Sequence, residues 1–336
     1  MKLRMLICLM IGSFMWSVTA QDKERVKELE KRYATFSKHK KFYDKDKWSM
    51  VRFHIVYKLT TAKVAKSMDK NDYVKVKSSS GAYGILKGVS EDDLQAITDQ
   101  VARNFMQRMN EEAGIEIITW GSFEGSPNTK KIKEMAMERE VYSKSQGLGY
   151  AVSYDGTPVW NKVIQIIPDG KKIAKELDSN NGMLTIYIDF ADAVSEASTS
   201  VTRKGDWIYY SESAEQNILP VVRIIPNMQS QNAWEQATNI GFTQFNAQSE
   251  QLYTFSMSYM TEDPEYLQSE INYATKVEAF KGDLPEVLAN RANNKIEYVS
   301  TFEVTTTPEK YGAAVMDVTN KFFDDLIEYY NLVSAK

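Results

Sequence analysis

The hydrophobic pattern of this chain changes period along its length, and that change restricts the folds open to it. From Asp92 to Asn110 apolar residues recur at every third or fourth position (Leu94, Ile97, Val101, Phe105 and Met109), which marks one face of an α-helix. From Met50 to Leu59, by contrast, Val51, Phe53, Ile55, Tyr57 and Leu59 alternate with Arg52, His54 and Lys58, broken only by Val56. Tyr253, Phe255, Met257 and Tyr259 alternate in the same way with Thr254, Ser256 and Ser258. A period of two marks a strand with one face covered and one face wet. A chain that carries both periods is expected to lay helices on a sheet.

Local signals place the elements. Ser90 stands as an N-cap with Asp93 three residues on, acid fills the first turn, and Gly114 follows the helix end. Residues 115–120 then read as a compact apolar strand, and 129 to about 142 as a second helix carrying Ile132, Met135, Ala136 and Arg139. At the other end Thr307 caps a helix with Pro308 at its first position and Val315, Val318, Phe322, Phe323, Leu326 and Tyr330 along it. Residues 22–47 present one narrow apolar stripe, Val26, Leu29, Tyr33 and Phe36, on a helix expected to lie against the body. That segment holds ten Lys/Arg against six Asp/Glu. Docking within the molecule is the ordinary reading of it, and attraction to an anionic membrane surface or partner is the functional alternative.

Beyond residue 150 strands dominate, at 163–167, 183–190, 207–211, 219–225, 251–260 and 296–304, with a short helix near 285–291. Pro168-Asp169-Gly170 and Asn180-Asn181-Gly182 read as turns. The expected fold is α+β: a mixed sheet covered by helices, a β-rich second half and a C-terminal helix. The expected division is 1–20 as a signal peptide, 21–150 as a charged N-terminal helix and α/β portion, and 151–336 as a β-rich portion with the C-terminal helix. No repeat or low-complexity linker separates the last two, so one continuous domain fits as well.

Lys2 and Arg4 precede an apolar run from Met5 to Val18, and Val18-Thr19-Ala20 has the small residues of a cleavage site. The mature chain is expected to begin at Gln21 and to be exported, to the periplasm or the extracellular space. The run is short of the roughly 20 residues that span a bilayer, so no transmembrane segment is expected in the mature chain. Ile7 precedes Cys8 where a lipobox needs a small residue, so lipidation is not expected. Cys8 is the only cysteine, and its loss with the leader leaves no disulfide, thiol nucleophile or thiolate ligand. Losing Lys2 and Arg4 takes the formal net charge from −4 to −6, which argues against nucleic acid as a partner.

The motifs that carry chemistry are sparse. The two histidines lie apart: His39 in the basic run 38–41, and His54 on what reads as the polar face of a strand. A histidine zinc site or a Ser-His-Asp triad is therefore hard to build. Gly81, Gly84 and Gly88 precede a helix without the Gly-Lys-Ser/Thr ending of a phosphate loop, and Val152 stands where Gly147-Leu148-Gly149 would need a third glycine. Close backbone packing or a tight turn explains these glycines better, and no cofactor is expected. Asp189, Asp192 and Glu196 would share one face of a helix, with Asp206 beyond, as oxygen ligands for calcium or as a solvated acidic face. No residue is assigned a catalytic role.

The segment from Ser90 to Trp120, SEDDLQAITDQVARNFMQRMNEEAGIEIITW, resembles the helix-then-strand opening of the periplasmic α/β domain in curli-secretion-channel-like and related bacterial envelope proteins. The resemblance covers about a tenth of the chain and implies an α/β envelope domain; it carries no site residues. The resulting expectation is an exported, non-enzymatic bacterial envelope or secreted protein that acts by macromolecular binding or assembly, with a protein or envelope component as partner. The alternative is an exported carboxylate-dependent hydrolase acting on glycans, with tyrosine and tryptophan faces holding sugar.

Overall fold

Helix-period and strand-period segments separate into helices and two sheets. A computed structural model of the chain describes residues 22–36, 46–70, 74–134, 136, 138–143, 147–159, 170, 172–225, 239–245, 250–257, 267–282 and 296–334. In chain order the first half has helix α1 (22–32), strands β1 (Tyr33–Phe36), β2 (Lys47–Lys58), β3 (Thr60–Lys70) and β4 (Lys75–Lys87), and helix α2 (Glu91–Ala113). Strand β5 (Glu116–Ile118), helix α3 (Lys130–Glu134), and strands β6 (Glu140–Ser143) and β7 (Gly147–Ser153) follow. The second half has helix α4 (172–177), strands β8 (Asn180–Lys204), β9 (Trp207–Ile225), β10 (Asn239–Phe245), β11 (Glu250–Met257), β12 (Lys276–Ala279) and β13 (Tyr298–Thr305), and helix α5 (Pro308–Ser334).

The larger sheet runs β1-β11-β10-β8-β2-β7-β6, with β5 on β2 and β9 on β8; the smaller runs β12-β13-β4-β3. At the centre β2 and β8 are parallel, while β2 and β7 are antiparallel. Strands from both sides of residue 150 thus share one sheet. The α+β class with a C-terminal helix is as the two hydrophobic periods require.

Helices α2 and α5 cover one face of the larger sheet. The capping box at Ser90 forms: its Oγ accepts from the Asp93 N–H at 3.2 Å, and Asp93 Oδ2 accepts from the Ser90 N–H at 2.8 Å. Gly114 closes α2 at φ 67°. Phe105 of α2 stands between Phe53 of β2, 5.9 Å away, and Phe323 of α5, 4.9 Å away. Trp48 meets Tyr330 edge-on at 5.4 Å. Helix α1 packs on α5 through buried Val26 and Leu29, and Arg25 reaches Glu328 at 2.7 Å. The segment expected to be one helix from 22 ends its helix at 32, and Tyr33, still buried, opens strand β1 on β11.

A register shift between Met50 and Arg52 in the β2–β8 pair turns the alternation of β2. Val51 joins Trp120, Phe123, Ile132, Ile173 and Met183 on the second face, while Phe53, Ile55 and Tyr57 join the main core. Every residue from Trp48 to Lys58 is buried. The expected wet face of β2 is therefore covered, and His54 is buried rather than solvated.

Other expectations change for local reasons. The helix expected over 129–142 stops at Glu134, and Val141 and Tyr142 belong to a strand paired with β7. Asn180-Asn181-Gly182 is not a turn but the start of β8, where Asn181 accepts from Ser49 Oγ at 2.7 Å and donates to the Gly170 carbonyl at 2.6 Å. Residues 207–211 and 219–225 are two parts of one strand, β9, in which Pro220 sits at the irregularity opposite Asp189 and Ala191. The strand expected at 163–167, the helix near 285–291 and His39 lie outside the described residues. At the glycines the close-packing reading holds: a Cβ on Gly84 would lie 2.8 Å from Ile218 Cδ1, and one on Gly88 (φ +86°) would lie 2.2 Å from the Thr306 carbonyl oxygen.

Candidate interaction surface

Strand β8 is 25 residues long and lives in two environments. Its first part is buried between β2 and β10; its second part leaves the sheet with β9 as a hairpin that packs against the β3–β4 hairpin.

At the junction lies a buried ion pair. Lys58 Nζ is 2.6 Å from Asp189 Oδ2, with side chains 5% and 3% exposed, and it also donates to Thr61 Oγ1 at 3.0 Å. Asp189 Oδ1 accepts from the Phe190 N–H at 3.0 Å. Arg223 of β9 lies 3.6 Å from Asp189 and 3.1 Å from Asp192. Buried charges persist only when matched in this way. The phenol of Tyr273 donates to the Phe190 carbonyl, and its ring leans on Tyr311 at 5.7 Å. Burial raises the pKa of both phenols, keeping them neutral.

Further out, hydroxyl groups join the two hairpins. Ser195 Oγ donates to Ser80 Oγ at 2.9 Å, Gln216 Nε2 donates to the same oxygen at 2.7 Å, and Gln216 Oε1 accepts from Ser300 at 3.1 Å. Ser67 and Thr199 share a hydrogen bond at 3.1 Å, and Asp69 Oδ2 accepts from the Val201 N–H at 2.8 Å. The outward face carries a second ladder, Ser198 with Ser213 at 2.7 Å and Ser200 with Ser211 at 2.8 Å. The end is aromatic: Trp207, Tyr209 and Tyr210 are 73%, 56% and 68% exposed.

These geometries relocate the residues singled out in sequence. Asp189, Asp192 and Glu196 lie on strand β8, not on a helix; Asp189 and Asp192 face the cations named above, and Glu196 pairs across the hairpin with Glu215. Among the described residues no three His, Cys, Asp or Glu side chains converge as metal ligands. His54 Nε2 donates to the Pro158 carbonyl at 3.1 Å, and burial, with Arg52 nearby, pushes its pKa down to about 3. A shallow groove of about 370 Å³ between Glu124 and Glu134 is open to solvent. Among the described residues no helix is long and apolar enough to cross a membrane. The hairpin end escaped sequence reading, although its signal was present: Trp207, Tyr209 and Tyr210 within four residues of a Gly-Asp turn.

No family model, no curated protein and no solved structure matches this chain. Its functional reading rests on the geometry.

Proposed function

We propose that the protein is exported and acts by binding or assembling with another macromolecule of the bacterial envelope or extracellular space, without chemistry of its own, and that the two hairpins are its contact element. One observation carries the reading. Among the described residues the other edge of β9 is bridged only near the core, where 222–224 meets 267–269, and the outer end of that edge carries Trp207, Tyr209 and Tyr210. Long edge strands are usually blunted by charge or proline because their free N–H and C=O groups recruit other chains. Clustered exposed aromatics mark contact surfaces in the same way.

The register supplies a clean test. Glu196 and Glu215 face each other, so an Asn-Gly turn joining them removes 197–214 and leaves the core strands in place. Complexes extracted from the envelope or medium of producing cells are then compared by native electrophoresis and light scattering. The expected result is a larger species for the wild type and a monomer of unchanged melting temperature for the shortened chain. A wild type that is monomeric in every fraction would overturn the proposal.

A further inference from the structure

The two hairpins end together, since Asp69 of β3 accepts from the Val201 N–H close to the β8–β9 turn. We infer that this joined end is a contact for the anionic surface of a phospholipid bilayer, an inference that rests on the binding role proposed above and names the envelope component.

Three features of the end point there. The first is chemical: indole and phenol rings combine an apolar body with a polar edge, and they collect where a bilayer meets water. The second is geometrical. Tyr209 and Tyr210 are consecutive in a strand, so they project from opposite faces, and Trp207 shares the face of Tyr209. A flat protein partner covers one face of a hairpin. An interfacial layer surrounds an inserted end and accepts both.

The third is charge. Lys66 and Lys70 on β3, Lys75 and Lys77 on β4, and Arg203 and Lys204 at the end of β8 are all exposed. Asp69, Asp72 and Asp206 oppose them over 66–77 and 203–206, and Asp69 already accepts from the Val201 and Lys70 N–H groups. The end therefore carries +3 on a chain whose formal net charge is −4. An anionic surface attracts this end and, apart from the basic segment 22–47, repels the remainder, which favours an end-on approach. Neither a few aromatics nor a few cations hold a protein on a membrane well, but the two together do.

The test is flotation of the purified exported protein, its N terminus read by mass spectrometry, with vesicles of phosphatidylcholine alone or mixed with phosphatidylglycerol. The wild type is expected to float with the mixed vesicles, weakly with the neutral ones, and less at high salt. Replacing Trp207→Ser, Tyr209→Ser and Tyr210→Ser together, or Lys70→Glu, Lys75→Glu and Lys204→Glu together, is expected to weaken binding by roughly tenfold or more. Circular dichroism and melting temperature should be unchanged, since all six side chains are exposed. Equal binding to both vesicle types, or binding that survives both sets of changes, overturns the inference. So does a wild type that ignores both vesicles; if it still forms a complex that the 197–214 excision abolishes, the partner is a protein and the binding role itself stands.

Discussion

The two parts of strand β8 are held by different physics. Near Ile186 and Ile188 the strand lies in the aromatic and aliphatic core that α2 and α5 close, where Phe105 and Phe323 meet at 4.9 Å. Beyond Ala193 its contacts to the neighbouring layer run through Ser195, Ser80, Thr199 and Ser67, hydroxyl to hydroxyl. Rings and aliphatic chains have no alternative partner in water, so burying them drives folding. Hydroxyl pairs exchange with water for a net gain of only about 1 kcal/mol each. One strand thus joins a region that makes the fold stable to a region whose long exposed surface contributes little to it and is free to meet something else.

The sharpest challenge to that contrast falls on the junction. Asp189→Ala would leave Lys58 buried without its carboxylate and is expected to cost about 3–5 kcal/mol in urea unfolding. Adding Lys58→Met should recover much of the loss, because the uncompensated charge rather than the missing bond is what destabilises. A loss from Asp189→Ala below about 1 kcal/mol would mean that the junction is wet and that the boundary between the two regions lies nearer to β2.

A smaller effect tests the buried second face of the sheet. With His54 held near pKa 3 against an ordinary 6.5, the unfolded chain takes up a proton that the native state refuses. Its contribution to stability is complete above pH 6.5 and is lost as the pH falls toward 3, at about 1.4 kcal/mol per pH unit. Unfolding followed from pH 6.5 to 4.5 should show this slope, and His54→Gln should flatten it whatever that change does to stability at neutral pH. A slope that persists in the variant would place the titrating group elsewhere.

The smallest effect is expected in the hairpins. Thr199→Val with Ser67→Ala removes both partners of one interlayer hydrogen bond and should change stability by no more than about 1 kcal/mol. A loss of several kcal/mol would make the hairpin layer part of the stabilising core and end the contrast.

Much of the stable region was legible residue by residue. Ser90, Asp93 and Gly114 bracket α2 as their side chains and backbone freedom require, and the apolar face of α5 is buried at every position named from its period. These signals are local, acting over one or two helical turns. The hairpin region was legible only in pieces. Asn180-Asn181-Gly182 reads as a turn, 207–211 and 219–225 read as separate strands, and Asp189, Asp192 and Glu196 read as one face of a helix, because nothing within a few residues shows that β9 and the β3–β4 hairpin are there to pair with this run. The aromatic end was readable as composition, but its exposure was not, since Trp207 and Trp48 look alike in a sequence and differ only in what covers them.

By itself, then, the sequence determined the α+β class, the two long helices with their caps and which of their faces are apolar, because each depends on spacing along the chain. Tertiary structure decided that β2 is covered on both faces, that His54 and Lys58 are buried, that Asp189 answers a lysine on another strand, and that two hairpins end side by side with their aromatics in solvent. Those facts depend on contacts between residues more than a hundred positions apart, as Lys58 and Asp189 are. Burial and charge pairing of that kind follow from which surfaces meet, and no local pattern carries it.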